Sequence, residues 1–392
     1  MTSSTLVRVA FAASLFALLI TGCSSFSSRT HTVTPEDWAI SGADLARSSM
    51  ADLRLEPPLE KVWEHDLGAG AGPGSALITG NLVLIANRKG QLLVLDGEKG
   101  KRVGRTKFDA PVEGGMAIAD NMLIVPGAKR KASLYGYDLG RGKVRWKLRK
   151  AAVQAGVLTL DSLAVVVDAT AMLRVVDTAS GKERWTHALD SMAYVIGAPV
   201  AEGPVVYVAN ENGVLYAVDV VREQRQWRRD LGSPVYQGLG MAGDIVLVPT
   251  TRGRLFGIDA RTGATRWTLA LPDTTVRFSA TAYDHRDGVL VVGTTDGRLR
   301  ALRADSGSEL WVAEVESPIT AAPLLTRQTV FVGTLGRKLL ALDRNTGARL
   351  WEYEMPGRVT SALAAADDLL IVLSEPQRIV AFRMPQEMPV TE

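Results

Sequence analysis

The chain is poor in the residues that usually carry chemistry. Of its 392 residues, one is cysteine and four are histidine. A single thiol, Cys23, leaves no intrachain disulfide, dithiol couple or cysteine-rich metal site. His31, His65, His187 and His285 lie far apart and lack the spacing of a ligand set. No run of Asp and Glu has the pattern of a calcium loop. The glycine-rich stretch Gly68 to Gly74 leads into a strand rather than a helix, so it does not read as a phosphate cradle. Charge is nearly balanced at a net +3, and Lys129-Arg-Lys131 is a short solvated loop, so nothing demands a nucleic acid or an anionic surface. The one apolar run near the N-terminus, Val9 to Ile20, is too short to span a bilayer comfortably. The expectation is therefore no catalytic residue, no metal and no cofactor.

Aromatic residues are scarce as well, at 6% of a chain that is 46% hydrophobic, yet seven of the eight tryptophans form a ladder. They are Trp63, Trp146, Trp185, Trp227, Trp267, Trp311 and Trp351, with Gly104 in the place of a missing member. Successive steps are then 41, 42, 39, 42, 40, 44 and 40 residues. A period near 40 is too short for a domain and suits one four-stranded propeller blade.

The fullest copy runs Gly253-Arg-Leu-Phe-Gly-Ile-Asp259-Ala-Arg-Thr262-Gly263-Ala-Thr-Arg-Trp267. Its apolar core alternates in and out, the period of a strand. Asp-x-x-Thr-Gly supplies a turn in which the aspartate caps its own backbone and glycine takes a positive φ. The run ending in tryptophan is the outer strand. Upstream of each motif lies a second apolar strand, such as Val205 to Val208 or Ile245 to Val248, and before it a stretch of small residues and proline suited to a crowded inner strand.

The ends set the blade count. Lys61 to Leu67, carrying Trp63, is an outer strand with nothing before it. Val359 to Ala364, Leu369 to Leu373 and Arg378 to Arg383 are three strands with no tryptophan after them. Joined, they complete an eighth blade and leave no open ring edge. The predicted fold is all-β: a single eight-bladed propeller of four-stranded antiparallel blades over 61–383, closed by the N-terminal strand. The tryptophans could also be stacking platforms for a ligand. One per repeat in fixed register is what packing between blades requires. Gly104 should mark a looser wedge, and Trp38 should pack the leading segment against the ring.

Two resemblances extend this reading. Ile20-Thr21-Gly22-Cys23 after Arg8 and a short apolar run resembles a bacterial lipobox. It implies a signal peptide over 1–22, acylation of Cys23, and a tether and leading segment over 23–60; 384–392 is a C-terminal tail. Ser24, rather than aspartate, implies retention at the periplasmic face of the outer membrane. The repeat Gly-x-Leu-x-Ala-Leu-Asp-x-x-Thr-Gly-x-x-x-Trp resembles the pyrroloquinoline-quinone-type propeller repeat. With its length and lipobox, the whole chain is similar to the BamB family, scaffold lipoproteins of the outer-membrane β-barrel assembly machinery.

The family resemblance implies a non-catalytic scaffold whose partners are barrel-assembly subunits with BamA-like periplasmic domains, and unfolded outer-membrane clients. Its partner-binding loop falls at Pro272 to Ala280, where Val276, Arg277 and Phe278 stand in a changed motif that lacks the glycine. The alternative at that loop is that Val276 and Phe278 begin the next inner strand and Arg277 is merely solvated. An acidic loop expected one blade later has no counterpart beyond Glu314 and Glu316. Other readings of the repeat are a lipoprotein that binds another envelope partner or ligand, and a quinoprotein dehydrogenase. The single cysteine argues against the last.

Overall fold

A computed structural model of the chain describes residue 34 and residues 36–189 and 193–385. The signal peptide, Cys23, His31, the serine-rich tether and residues 386–392 lie outside the described residues. Those described contain strands, turns and bends but no helix. Eight antiparallel sheets of four strands each form the ring. Blade 1 runs from Leu77–Thr79 to Arg102–Lys107, blade 5 from Gly240–Ala242 to Thr265–Ala270, and blade 7 from Leu324–Leu325 to Arg349–Glu354. Blade 8 is the composite: its first three strands are Ala364–Ala366, Leu369–Ser374 and Arg378–Arg383, and its outer strand is Glu60–Asp66, which pairs with Arg378–Arg383.

The regular inner strands are short except Phe278–Asp284 of blade 6, and in the other blades the strand follows its small-residue stretch rather than coinciding with it. In blade 5 that stretch is Gly232-Ser-Pro234, and the strand begins at Gly240. In blade 8 the strand begins at Ala364 rather than Val359. Close approach of the chains at the axis leaves little room for a pleated ladder, so the small residues line the channel as irregular chain.

The repeat motif works as a socket for the tryptophan. In the third strand, the residue opposite the ring is small in every case but one: Ala217 faces Trp227, Gly257 faces Trp267, Ala301 faces Trp311 and Ala341 faces Trp351, whereas Val175 faces Trp185. The alanine of Leu-x-Ala-Leu is thus the floor on which the indole lies. The turn of the next blade closes over it. The indole N–H donates across the blade boundary to the carbonyl just after that turn's aspartate or its equivalent: Trp63 to Gly97, Trp146 to Thr178, Trp227 to Ala260, Trp267 to Ala304 and Trp311 to Arg344, at 2.7–2.9 Å. In the turn itself, Asp259 accepts from the Thr262 amide and hydroxyl at 2.8 and 2.7 Å. The turn glycine then abuts the ring. At Gly307, with φ 70°, an added Cβ would sit 2.6 Å from Trp267.

Where the socket is altered, the packing changes. Gly104 faces Val94 in place of a small residue. The wedge there is filled from blade 2 by Tyr135 and Tyr137, both at most 2% exposed, against Phe108; the Thr106 hydroxyl donates to Tyr137 Oη at 3.2 Å. The looser wedge expected at Gly104 is therefore absent. Facing Trp185, the turn of blade 4 carries Glu223 (φ 57°) in place of glycine, and Trp185 stacks instead on His187. Trp351 meets no following turn and packs edge-on against Phe382 and alongside Tyr353. Burial follows: Trp63 and Trp267 are buried, whereas Trp146, Trp185, Trp227, Trp311 and Trp351 are half-buried. The outer strand is the blade's periphery, and one edge of most rings faces solvent.

Candidate functional site

Two regions are candidates: the upper face, which carries the connections from one blade's outer strand to the next blade's inner strand, and the axial channel. On the upper face the structure separates the three residues singled out in the sequence. Phe278 is 1% exposed and opens the inner strand Phe278–Asp284 of blade 6; Val276 is also buried. Both belong to the core, as the alternative reading of this loop has it, which corrects their placement among partner-binding residues. They are apolar residues at the foot of a strand, and the strand's inward face takes them. Arg277 alone of the three is exposed. Its backbone amide donates to the Thr295 hydroxyl at 3.0 Å, and its side chain makes no ion pair among the described residues. Glu314 lies in the outer strand of blade 6 and pairs with Arg298 at 3.3 Å. Other large apolar side chains open to solvent on this face are Tyr194, Ile196 and Tyr236.

Apart from Trp38, the second region has no signal in the sequence. From Trp38 onward the leading segment winds round the axis and hydrogen-bonds to the inner strands in ring order. Trp38 N donates to Ile78 O in blade 1, and Ile118 N to Ala39 O in blade 2. Blade 4 donates through Ala201 N to Leu45 O, blade 5 through Met241 N to Ala46 O, blade 6 through Tyr283 N to Ser48 O, and blade 7 through Leu325 N to Ser49 O. Trp38 is 2% exposed and its indole donates to the Ser75 hydroxyl at 3.0 Å, as its packing role requires. Leu55 and Leu59 then enter the core of blade 8. The circuit satisfies backbone groups that short inner strands would otherwise leave unpaired.

This coil closes the lower end of the channel. Above it is a cavity of about 300 Å³, walled largely by glycine and alanine and bordered by the exposed Ile196 and Tyr236. Arg47 forms its floor, 6% exposed, with φ 49°. Its Nε donates to Pro199 O at 2.8 Å, Nη1 to Ser41 O, and Nη2 to Val157 O at 3.2 Å, so it ties in blade 3, which the coil's backbone passes by. Burial pushes its pKa down to about 10 against the opposing pull of Asp44. Asp44 itself turns to Ser48, accepting from its amide and hydroxyl.

No group of three or more His, Cys, Asp or Glu among the described residues is placed to hold a metal ion. His65 and His187 sit in outer strands. An ion network on the lower face pins the coil. Asp52 accepts from Arg286 at 2.6 Å and Arg327 at 3.0 Å, while the fully buried Asp284 is held by Arg286 at 2.6 Å and by Arg344 of blade 7 at 2.5 Å.

Comparison with known proteins agrees with this architecture. The family model described as outer membrane protein assembly factor BamB matches residues 54–269 and 278–385. Outer membrane protein assembly factor BamB of Yersinia pestis is 26% identical over 324 residues, covering 75% of this chain and 77% of that protein. The crystal structure of BamB from Moraxella catarrhalis superposes with a TM-score of 0.67 at 17% identity, covering 83% of this chain and all of the other. A quinohemoprotein alcohol dehydrogenase from Comamonas testosteroni superposes with a TM-score of 0.74 at 13% identity, covering 93% and 83%. At such identities the structural likenesses speak for the fold alone.

Proposed function

We propose a function from one established point: the chain belongs to the family of outer membrane protein assembly factor BamB. The protein is a non-catalytic scaffold held at the periplasmic face of the outer membrane by an acylated Cys23. It presents its propeller to the β-barrel assembly machinery and to unfolded outer-membrane clients. The observation that carries this reading is that the family match takes in all eight blades, from the outer strand Glu60–Asp66 to the last strand of the same blade, Arg378–Arg383. Acyl chains on Cys23 give a stable anchor, where a single chain would bind reversibly.

The interval between the two matched segments is the connection that carries Val276 and Arg277. With Val276 in the core, Arg277 is the group of that connection left to meet a partner. A planar guanidinium beside solvent-exposed backbone suits directed hydrogen bonds to a carboxylate or a carbonyl. Arg277→Glu should lower the recovery of barrel-assembly components with the tagged protein by at least about tenfold if the group makes a close interfacial contact, with an unchanged unfolding transition. Recovery at the wild-type level would move the contact elsewhere on the ring.

The anchor has its own test. Cys23→Ala should shift the protein from the outer-membrane fraction to the soluble periplasm, or leave its precursor uncleaved, while the propeller melts as before. Mass spectrometry of the mature wild-type protein should show a diacylglycerol-bearing cysteine at its N-terminus; an unmodified thiol there contradicts the anchor. Deleting the protein should reduce the amount of heat-modifiable, folded barrels in the outer membrane.

A further inference from the structure

The axial cavity holds a charge that no ion pair among the described residues neutralises: Asp44 favours it electrostatically, but its carboxylate bonds to Ser48. Arg47 is nine-tenths buried, yet it makes no ion pair among the described residues, and its three observed acceptors are neutral carbonyl oxygens. A guanidinium has five N–H groups, so two are left over. An isolated buried charge is among the costlier features a fold can carry, and it is ordinarily paired or neutralised. The backbone that holds it is strained too. Gly42, Ala43, Arg47 and Ser49 all have positive φ, from 46° to 90°, and three of the four are not glycine. Strain and burial together fix the guanidinium at the bottom of a cavity of about 300 Å³, the lower end of the range for small-molecule sites.

A second observation lies on the wall. Thr281, 2% exposed, borders the same cavity, and its hydroxyl has no hydrogen-bond partner among the described residues; the buried hydroxyl of Thr320, also on the wall, has none. Buried hydroxyls are ordinarily paired. No other charged side chain lines the cavity, and the groups higher up are neutral: Gln154, Gln237 and Tyr236.

We propose that the axial channel is a binding site for a small monocarboxylate with an uncharged body, its carboxylate seated on Arg47 and its body between the glycine- and alanine-lined walls. One cation matches one negative charge, and a planar carboxylate fits the fork of a guanidinium. A phosphate dianion would bring a second charge with no partner. The body is limited to a ring or short chain by the volume. This site stands on the channel alone, independently of the scaffold reading, and the coil that builds its floor lies before residue 54, outside the segments matched by the family.

The test is calorimetric titration of the whole folded protein with benzoate, with benzamide as its neutral counterpart and inorganic phosphate as the competing anion. Benzoate should bind saturably at one site per chain, and benzamide and phosphate at least tenfold more weakly. Arg47→Met should weaken benzoate at least tenfold, and Ala322→Phe, which fills the channel from its wall, should abolish binding. Neither change should alter recovery of barrel-assembly components, which separates this proposal from the previous one. Absence of saturable benzoate binding to the wild-type protein overturns it, a result that needs no variant to fold. Equal binding of benzamide, tighter binding of phosphate, or unchanged benzoate affinity in a folded Arg47→Met or Ala322→Phe protein also overturns it.

Discussion

Truncation of Trp267 to alanine should destabilise the protein by about 3–5 kcal/mol, the usual cost of removing a large buried aromatic side chain. Trp267 is 9% exposed, lies over Gly257, and donates its indole N–H to Ala304 of the next blade at 2.9 Å. Removing it empties the wedge between blades 5 and 6 and leaves a carbonyl without its donor. The neighbouring contacts cannot collapse into the space, because both flanking sheets are fixed by their own ladders. Gly307→Ala should damage the same joint from the other side, since its Cβ would lie 2.6 Å from the ring and its φ is 70°. Trp185→Ala should cost distinctly less than Trp267→Ala, because Trp185 is half-buried and faces Glu223 rather than a turn glycine. Urea denaturation followed by far-ultraviolet circular dichroism would rank the three. Equal losses at Trp185 and Trp267 would contradict the socket.

The second large effect is expected at Arg344. Its guanidinium is 5% exposed and bonds to Asp284, which is fully buried, and to Asp287 at 2.6 Å. Arg344→Met should cost about 3 kcal/mol, the lower end of the penalty for breaking a buried ion pair, because Arg286 still holds Asp284. An exposed pair such as Arg303 with Asp305 should contribute far less by the same measurement, because water screens it. The acid limb gives a further check. Burial alone would raise the pKa of Asp284, but hydrogen bonds from Arg286 and the charges of Arg344 and Arg286 outweigh it, and the pKa lies below the ordinary value. A depressed carboxylate contributes stability that is present above its unfolded pKa and lost as pH falls through the folded one. The gap between wild type and Arg344→Met should therefore narrow on acidification. A gap that stays constant to low pH would place the cost in packing rather than in the ion pair.

The ring was legible in the sequence because its packing repeats. A tryptophan packs best with a small residue beneath it and a glycine over it, so three positions recur together and mark most blades; even the composite blade 8 shows itself, as an unmatched outer strand at one end and three unmatched strands at the other. The replacements were less legible. Tyr135 and Tyr137 fill the wedge at Gly104 from the next blade, at positions that look like ordinary third-strand residues. At the upper face, Val276-Arg277-Phe278 has the composition of an interface motif and of a strand start alike. Only the register, with Phe278 opposite Thr294, assigns two of the three to the core. The leading coil has no periodic signal, because its partners are backbone groups of six inner strands, and backbone partners leave no trace in side-chain pattern. Trp38 outside the ladder was the sole hint. Arg47, placed by that coil, could not be singled out among the chain's other arginines.

The account's central claim is that this propeller serves the assembly of outer-membrane barrels. Affinity isolation of the full-length lipoprotein from detergent-solubilised outer membranes, with quantitative mass spectrometry of what accompanies it, tests that claim most directly. The account predicts that the central barrel-assembly subunit is enriched well above a control lipoprotein of equal abundance. Recovery of that subunit at the control level, with a different envelope protein enriched in its place, would contradict it.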